Sequence, residues 1–288
     1  MKVLVTGSQG QLGQEVRKVF TEEYPTIDVT YCGHSDLDIT DRGSTEDYLR
    51  RGGFSHVINC AAYTNVDRAE EDKKACSAVN IDGIANIARM ADELGLKILH
   101  ISTDYVFDGT AHSPYREGDQ TNPQSHYGST KRKGETALLG LAPDAIVIRT
   151  GWLYSPHGRN FVNTILRLSD ERPTLTVIWD HIGTPTYAED LAQAIARVVT
   201  APQWTPGVYH YSNEGVASWY DFASAIVKMA GRADRCRVLP IAGSDYPAAA
   251  QRPYYSVLSK DRIKATFNIT IPHWADSLAR CMQRIQNG

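Results

Sequence analysis

Short apolar runs alternate with amphipathic stretches along the first half of the chain. The apolar runs are rich in aliphatic and β-branched residues, as strands are, and they cover residues 2–5, 28–31, 56–60, 97–101 and 145–149. Residues 11–20 instead place Leu12, Val16, Val19 and Phe20 at helical spacing. This alternation predicts an α/β fold, a doubly wound parallel sheet that binds ligands beyond the carboxyl ends of its strands.

A glycine-rich turn follows the first predicted strand at once. Residues 6–13 contain the spacing Gly-x-x-Gly-x-x-Gly and lead into the first predicted helix. Glycines allow a tight turn and a close approach to a pyrophosphate, and a helix N-terminus favours its negative charge. We therefore predict a Rossmann fold with a dinucleotide bound at Gly7, Gln9, Gly10, Gln11, Leu12 and Gly13. An ordinary βα loop is the alternative.

The pattern loosens after residue 150, where prolines separate shorter elements. Residues 1–150 are predicted to form the dinucleotide-binding Rossmann domain, with a returning segment near 174–200, because residues 188–199 resemble a further helix. Residues 151–173 and 201–288 would form a smaller, non-contiguous C-terminal substrate-binding domain.

A Tyr-x-x-x-Lys pair lies further along, at Tyr127 and Lys131. Positions i and i+4 share one face of a helix, so we expect the Lys131 ammonium to lower the pKa of the Tyr127 phenol from near ~10. Such a phenol can exchange a proton with a substrate oxygen. Together with the glycine turn, the pair indicates nicotinamide chemistry, and a surface helix pair is the alternative.

Composition narrows the class of protein. The 288 residues are 42% hydrophobic, enough for a full core, and their net charge of −3 leaves no basic field for nucleic acid. The five cysteines are scattered without Cys-x-x-Cys spacing, so reduced thiols and a cytoplasmic location are expected. No secretory signal precedes the first predicted strand. No apolar run approaches the ~20 residues that span a bilayer, so no membrane partner is expected.

Cofactor preference depends on the end of the second predicted strand. An acidic side chain there would bind the 2′-hydroxyl of NAD and repel the extra phosphate of NADP, but residues 32–35 read Cys-Gly-His-Ser. We therefore expect NADPH near His34, with NADH as the alternative. Ala61 and Ala62, followed by Tyr63, would leave room for the cofactor after the third predicted strand, although packing explains small residues there about as well.

Several linked motifs resemble the dTDP-4-dehydrorhamnose reductase family, within the extended short-chain dehydrogenase/reductase superfamily. They are Ser-Thr-Asp-Tyr-Val-Phe-Asp-Gly at 102–109, Tyr-Gly-Ser-Thr-Lys at 127–131, Arg-Thr-Gly-Trp-Leu-Tyr at 149–154 and Arg-Pro at 252–253. The resemblance extends to Ile-Pro-His-Trp at 271–274 and so covers nearly the whole chain. It implies NAD(P)H-dependent reduction of the C4 keto group of dTDP-4-dehydro-L-rhamnose, the last step of dTDP-L-rhamnose synthesis.

The resemblance also implies roles for residues. Thr103 would orient the substrate carbonyl, with Ser102 as its local competitor, while Tyr127 gives a proton and Lys131 holds the nicotinamide ribose. Asp38 and Ile39 would contact the adenine, with a solvated loop acid as the alternative for Asp38. The implied substrate contacts are Asp104, Tyr105, Val106, Trp152, Asn160, Phe161 and Arg252.

Parts of this substrate site have alternatives. Trp152 would pack against the deoxysugar, but a core tryptophan after a strand is the alternative. Arg252 could reach the diphosphate, where a guanidinium fork suits two oxygens. Tyr254 and Tyr255 stand where many family members carry other residues, so contacts from that loop stay open.

Metal binding follows the family only in part. Some members bind magnesium between subunits through glutamates, and Glu15 and Glu189 match two such positions. No acid among residues 280–288 completes the cluster, so no essential metal is expected. The nine histidines show no zinc-binding spacing. A homodimer stays open.

Two rival functions remain at this stage. A non-catalytic regulatory subunit, such as the β subunit of methionine adenosyltransferase, shares this fold and much of the motif set. A reductase of another nucleotide-linked 4-keto-6-deoxysugar would differ only in loop contacts, because epimeric sugars differ by one hydroxyl. The intact Thr103, Tyr127 and Lys131 favour catalysis.

Overall fold

The computed structural model describes residues 1–287. Within that range the strands are β1 (Lys2–Thr6), β2 (Asp28–Cys32), β3 (His56–Asn59), β4 (Lys97–Thr103), β5 (Ile146–Thr150), β6 (Leu153–Tyr154), β7 (Thr174–Ile178), β8 (Ile182–Gly183), β9 (Thr186–Tyr187), β10 (Gly207–His210), β11 (Ala217–Ser218) and β12 (Arg237–Ile241). The α-helices are α1 (Gln11–Glu23), α2 (Arg42–Gly52), α3 (Lys73–Ser77), α4 (Ile84–Arg89), α5 (Ala91–Leu94), α6 (His126–Leu141), α7 (Phe161–Glu171), α8 (Ala188–Val199), α9 (Trp219–Met229), α10 (Asp261–Phe267) and α11 (Trp274–Asn287).

A central sheet of six parallel strands has the order β10-β5-β4-β3-β1-β2. β1 lies between β2 and β3, so the chain changes direction across the sheet at this point. Ligands of doubly wound sheets bind in the crevice at such a switch point. The predicted fold is confirmed, and the five predicted strands are β1 to β5.

Alternating side chains of the sheet face two helical layers. Val3 and Val5 belong to one core cluster with residues of α1 and α8, while Leu4 belongs to another with residues of α4 and α6. Successive side chains of a strand point to opposite faces, so one short apolar strand supports both layers. The apolar run of β1 is explained by burial on both faces.

Smaller strand pairs organise the C-terminal part. β7 pairs with β12, β6 with β9, and β8 with β11. A third core cluster lies among α7, α9 and α11 and contains the buried aromatic residues Tyr154, Tyr187 and Phe222.

The division into two domains stays a prediction, and three segments bear on it. α8 spans the predicted helix and packs on α1. β7, within 174–200, pairs with β12 rather than with the main sheet, whereas β10 adds a sixth strand to the main sheet from within 201–288. Among residues 1–287, no helix is long and apolar enough to cross a membrane.

Candidate active site

The glycine turn places backbone N–H groups beyond the carboxyl end of β1. Gly7 has φ 67°, and a Cβ there would lie 2.6 Å from the backbone nitrogen of Ala61, so only glycine fits without strain. Gly10 donates its N–H to Gly7 O at 3.0 Å and is the N-cap of α1. A Cβ on Gly13 would collide with the backbone of the turn. The turn therefore has the close-packed geometry expected of an anion-binding helix N-terminus.

The other predicted residues of the turn have different surroundings. The Gln9 side chain packs beside Gly33, and Gln11 Oε1 accepts a hydrogen bond from Ser155 Oγ at 3.4 Å. The Leu12 side chain is buried in the core. Leu12 can therefore contribute only backbone atoms to a ligand site.

The end of β2 differs from its predicted character in one respect. No acid lies in residues 32–35, but the Asp36 carboxylate returns to accept a hydrogen bond from Gly33 N at 2.8 Å. His34 is exposed. The basis of the NADPH preference, a strand end free of acids, is therefore weaker than the sequence indicates.

The predicted adenine contacts are already engaged within the chain. Asp38 Oδ1 accepts hydrogen bonds from the Thr40 backbone and hydroxyl at 2.9 and 2.7 Å. The Thr40 hydroxyl is the main cause that holds the pKa of Asp38 below its ordinary value. Ile39 is buried against Gly83 in the second core cluster.

Residues after β3 adjoin the glycine turn. Ala61 lies against Gly7, so its small size is required by backbone packing as well as by any ligand. Tyr63 N donates to Asn80 Oδ1 at 2.9 Å, and Ala62 is half-buried. These residues line the same edge of the sheet as the turn.

Thr103, Tyr127 and Lys131 are all buried, on two neighbouring elements. Thr103 ends β4, and Tyr127 and Lys131 lie on α6. Ser125 caps this helix by accepting a hydrogen bond from Gly128 N at 3.1 Å, which places Tyr127 in the first turn. The Tyr105 ring packs edge-on against the Tyr127 ring with centroids 5.6 Å apart.

The electrostatics of Tyr127 differ from the prediction. Burial raises the pKa of Tyr127 above its ordinary value, and the Thr103 hydroxyl acts in the opposite direction. The prediction that this pKa is lowered by Lys131 is wrong, because burial outweighs the opposing effect of Thr103 and Lys131 is not among the groups that act on it. The Lys131 amine is held elsewhere, 2.7 Å from the Ile101 carbonyl oxygen.

The choice between Thr103 and Ser102 is informed by their partners. Ser102 Oγ donates to the buried Glu135 carboxylate at 2.5 Å, and Arg149 binds the same carboxylate at 2.8 and 2.9 Å. The Ser102 hydroxyl is therefore already engaged, whereas the Thr103 hydroxyl is hydrogen-bonded to the Tyr127 phenol. These contacts support Thr103 as the hydroxyl that faces Tyr127.

Two buried polar residues near Lys131 were not predicted as functional from the sequence. His100 on β4 contacts Lys131, with Nε2 3.2 Å from Nζ, and Asn59 at the end of β3 contacts His100. The sequence does show each of them as a polar residue within an otherwise apolar strand. A buried polar side chain needs a hydrogen-bond partner, so such positions indicate a polar contact inside the protein.

Asp104, Tyr105 and Val106 form a short 3-10 helix directly after β4. Asp104 is buried beside Thr103, whose hydroxyl donates to Asp104 Oδ1 at 3.0 Å. Val106 is fully buried in a cluster with Phe107 and its neighbours. Core packing therefore accounts for the Val106 side chain, whereas Asp104 and Tyr105 adjoin Thr103 and Tyr127.

Trp152 has a strained backbone and a fixed indole. Its φ is 51°, in the left-handed region that non-glycine residues rarely adopt. Its ring stacks on that of Trp219 with centroids 3.5 Å apart, and a Cβ on Gly183 would collide with it. Strain of this kind is common at functional sites.

Asn160 and Phe161 have structural partners. Asn160 caps α7 by accepting a hydrogen bond from Asn163 N at 3.0 Å, and its amide donates to Ser155 O at 2.8 Å. The Phe161 ring packs 4.6 Å from the Trp219 ring. Both residues therefore shape the loop beside Trp152.

Arg252 is paired within the chain. Its Nη1 and Nη2 lie 3.1 and 2.7 Å from the two carboxylate oxygens of Asp67. A cavity of about 300 Å³ beside it is also lined by His181, Tyr246 and Tyr254. Asp67 therefore occupies the Nη1 and Nη2 end of the guanidinium.

Glu15 and Glu189 are bound by cations of the chain itself. Arg284 Nη1 lies 2.8 Å from Glu15 Oε2 and 3.2 Å from Glu189 Oε2, and Lys18 also pairs with Glu189. Within residues 1–287 no group of three acidic, histidine or cysteine side chains could hold a metal. Arg284 and Lys18 therefore occupy the space between these glutamates where a metal ion would have to bind.

Comparison with known proteins places this chain in a family. The family described as RmlD substrate binding domain matches residues 1–287. The chain belongs to this family. A dTDP-4-dehydrorhamnose reductase from Sinorhizobium fredii is 35% identical over 289 residues, which cover 97% of this chain and 96% of the relative. The resemblance to dTDP-4-dehydrorhamnose reductases is confirmed.

Family members differ in their named substrates. A dTDP-4-keto-6-deoxy-D-glucose reductase from Streptomyces niveus is 38% identical over 279 residues, covering 96% of this chain and 95% of the relative. The crystal structure of a Bacillus anthracis dTDP-4-dehydrorhamnose reductase in complex with NADP has a TM-score of 0.93 and 34% identity. It covers 99% of this chain and all of that one.

Proposed function

We propose that this chain is an NAD(P)H-dependent oxidoreductase that reduces the C4 keto group of dTDP-4-dehydro-L-rhamnose to give dTDP-L-rhamnose. The observation that carries the proposal is that Thr103 at the end of β4 and Tyr127 and Lys131 on α6 are all buried, in a chain whose relatives include named reductases of this substrate. The Lys131 amine bonds the Ile101 carbonyl, two residues before Thr103 on β4.

The chain's own residues would move the proton. A reduced nicotinamide supplies the hydride when bound. Tyr127 would donate its phenolic proton to the alkoxide that forms at C4, because burial keeps this phenol protonated at neutral pH. Thr103 would hold the carbonyl oxygen near that proton and so favour the reactive orientation. Lys131 would hold the ribose hydroxyls of the cofactor.

The substrate contacts extend from this centre. Asp104 and Tyr105 lie next to the proposed catalytic residues, and Trp152 offers an indole already fixed by stacking. Arg252 would bind the diphosphate by exchanging its Asp67 partner for phosphate oxygens. Preorganised side chains of this kind reduce the ordering cost of binding.

A reductase of a related 4-keto-6-deoxysugar is the second candidate, favoured by the relative named for dTDP-4-keto-6-deoxy-D-glucose. A non-catalytic regulatory role is disfavoured by the intact Thr103, Tyr127 and Lys131.

NADPH is the proposed cofactor, supported by the NADP-bound relative and the exposed His34 after β2. Asp36 beside Gly33 keeps NADH in the proposal. The lack of an essential metal and a cytoplasmic location stay predictions, and a homodimer stays open.

A coupled assay tests the proposal and generates the substrate in situ. dTDP-glucose is converted by a dehydratase and a 3,5-epimerase, and oxidation of NADPH, then of NADH, is followed by absorbance. Epimerase-dependent oxidation with formation of dTDP-L-rhamnose supports the proposal. Oxidation without the epimerase points to the second candidate, and nucleotide binding without turnover points to the regulatory role.

Tyr127→Phe tests the assigned acid. The variant keeps the ring and its packing against Tyr105 but loses the proton. We expect turnover to fall by about 10²- to 10⁴-fold, with the Kd for NADPH within about twofold of the parent. Lys131→Ala should lower turnover and also weaken NADPH binding. Full activity in Tyr127→Phe would remove the proposed acid.

A further inference from the structure

A buried polar chain runs from β1 to Lys131. Thr6 Oγ1 and Ala61 N donate to Asn59 Oδ1 at 2.6 and 3.2 Å. Asn59 Nδ2 lies 2.9 Å from His100 Nδ1, and His100 Nε2 lies 3.2 Å from Lys131 Nζ. The side chains of Thr6, Asn59, His100 and Lys131 belong to residues at most 2% exposed. Their polar groups must therefore find partners within the protein.

Donor and acceptor counting fixes the direction of this chain. The Ala61 backbone N–H only donates, so the Asn59 atom that faces it is the carbonyl oxygen, and the amide NH₂ faces His100. This NH₂ also only donates, so His100 Nδ1 must accept and carries no proton. The proton of the neutral imidazole therefore lies on Nε2, the atom that faces Lys131.

The same counting constrains the charge of Lys131. An ammonium only donates and cannot accept the Nε2–H of His100. The neutral amine can accept it and still donate to the Ile101 carbonyl 2.7 Å away. Among residues 1–287, the ion pairs of the nearby Glu135 are with arginines, and Lys131 takes part in no ion pair. An ammonium here would be a buried charge without a bonded counterion, which is costly.

We propose that His100 is a positioning residue that donates its Nε2–H to the uncharged amine of Lys131 and so opposes charging of that amine. Asn59 fixes the tautomer that makes this possible. If the chain is the reductase proposed above, on which this consequence rests, His100 then helps to set the pH at which Lys131 becomes charged, and with it the pH range of turnover.

The pKa shifts of the two residues have the direction that this geometry requires. Burial lowers the pKa of Lys131 to about 8. Burial, followed by the charge of Lys131, lowers the pKa of His100 well below its ordinary value. The other groups that act on Lys131 are Glu135 on its own helix, Cys60 after β3 and Cys76 on α3.

The tautomer can be observed in the intact, cofactor-free protein labelled with ¹⁵N-histidine. Long-range ¹H–¹⁵N correlation spectra distinguish Nε2–H from Nδ1–H imidazole, and the His100 signals are identified by their absence from His100→Asn. We expect a neutral Nε2–H imidazole from about pH 8 to about pH 10, where the Lys131 amine is uncharged. An Nδ1–H tautomer or an imidazolium in this range overturns the proposal.

The charge of Lys131 is followed by the ¹³Cε signal of labelled lysine, assigned with Lys131→Arg. His100→Asn retains an acceptor for Asn59 but removes the Nε2–H donor, so the Lys131 midpoint should rise by about one pH unit or more. His210→Asn is the matched control, because His210 is equally buried, bonds the Tyr115 carbonyl through Nδ1 and has no Nε2 partner among the described residues. It should leave the Lys131 midpoint unchanged.

A second variant guards against misfolding of the first. Asn59→Asp replaces the amide donor by a carboxylate, which would bind a proton on His100 Nδ1 and leave Nε2 to accept from the ammonium. We expect the His100 tautomer to switch and the Lys131 midpoint to rise. An unchanged midpoint in both variants overturns the proposal. Neither readout needs substrate, so it can fail while the reductase assay succeeds, or the reverse.

Discussion

Asp104 is an ionisable residue buried beside the proposed acid and carbonyl-binding groups, and it is 2% exposed. Burial raises its pKa from 3.8 to about 6, with the Ser256 and Thr103 hydroxyls acting in the opposite direction. Between these two values the native state binds a proton that the unfolded state has lost. Stability therefore falls as the pH rises through this window, by about 3 kcal/mol once the pH is well above 6.

Asp104→Asn should remove this loss, because the amide stays neutral at every pH. We expect its free energy of unfolding to exceed that of the parent by roughly 1–3 kcal/mol near pH 8 and by much less near pH 4. Urea unfolding at the two pH values measures both. Asp108→Asn is the control, since hydrogen bonds from Thr110 lower the pKa of Asp108, and it should bring no gain at pH 8. The same pH dependence in Asp104→Asn and the parent would contradict the linkage.

At the scale of single residues, the sequence predicts where the site residues lie along the elements better than it predicts the burial and contacts that set their pKa values. The Tyr127 and Lys131 pair is local, so one helix suffices to place it. The direction of the Tyr127 pKa depends on burial by other elements and was predicted wrongly. His100 was missed because its partners, Asn59 and Lys131, lie 41 and 31 residues away in sequence.

Helix α6 carries two glycines with opposite surroundings. A Cβ on Gly128 would collide with the Tyr105 carbonyl oxygen, whereas nothing lies within 4 Å of a Cβ on Gly140. Gly128→Ala must push the first turn of α6, and Tyr127 with it, away from the helix at 104–106. Gly140→Ala only reduces the freedom of the unfolded chain.

The two alanine variants should therefore differ in sign. We expect Gly128→Ala to lower the free energy of unfolding by about 1–3 kcal/mol and Gly140→Ala to raise it by up to about 1 kcal/mol. Urea unfolding measures both, and the reductase assay should show a lower kcat only for Gly128→Ala. Equal effects of the two substitutions would show that the contact with Tyr105 does not constrain the helix.

Elements with a clear period were predicted, and short ones were not. β1 to β5 and α8 follow apolar patterns that any parallel sheet with covering helices requires. β10 has four residues in a proline-rich stretch, and its pairing with β5 joins segments about 60 residues apart, so no local pattern reveals it. The two-residue strands β6, β8, β9 and β11 are too short to show a period.

At the scale of the whole molecule, α11 connects the C-terminal part of the chain to α1 and α8, two helices that cover the central sheet. Arg284 on this helix bonds Glu15 on α1, the Tyr187 hydroxyl at 2.7 Å and Glu189 on α8. The contact between Arg284 and Glu15 spans 269 residues of sequence. Glu15 and Glu189 can therefore be recognised in the sequence as a pair, whereas the cation between them cannot, because it lies so far along the chain.

Arg284→Ala tests how much this tie contributes. Glu15 is fully buried, and the substitution removes the Arg284 guanidinium that balances its negative charge. We therefore expect the free energy of unfolding to fall by about 3 kcal/mol. Arg167→Ala, which removes an exposed ion pair with Glu171 within α7, should cost only about 0.3–0.5 kcal/mol in pairing energy. Urea unfolding measures both losses.

Urea unfolding of the parent with and without millimolar magnesium tests whether a metal binds at the two glutamates. Because Arg284 and Lys18 together already balance the charge of the two glutamates, the parent should not respond to magnesium. A rise in parent stability with magnesium would mean that the cation competes successfully with Arg284, and that the prediction of no essential metal must be revised.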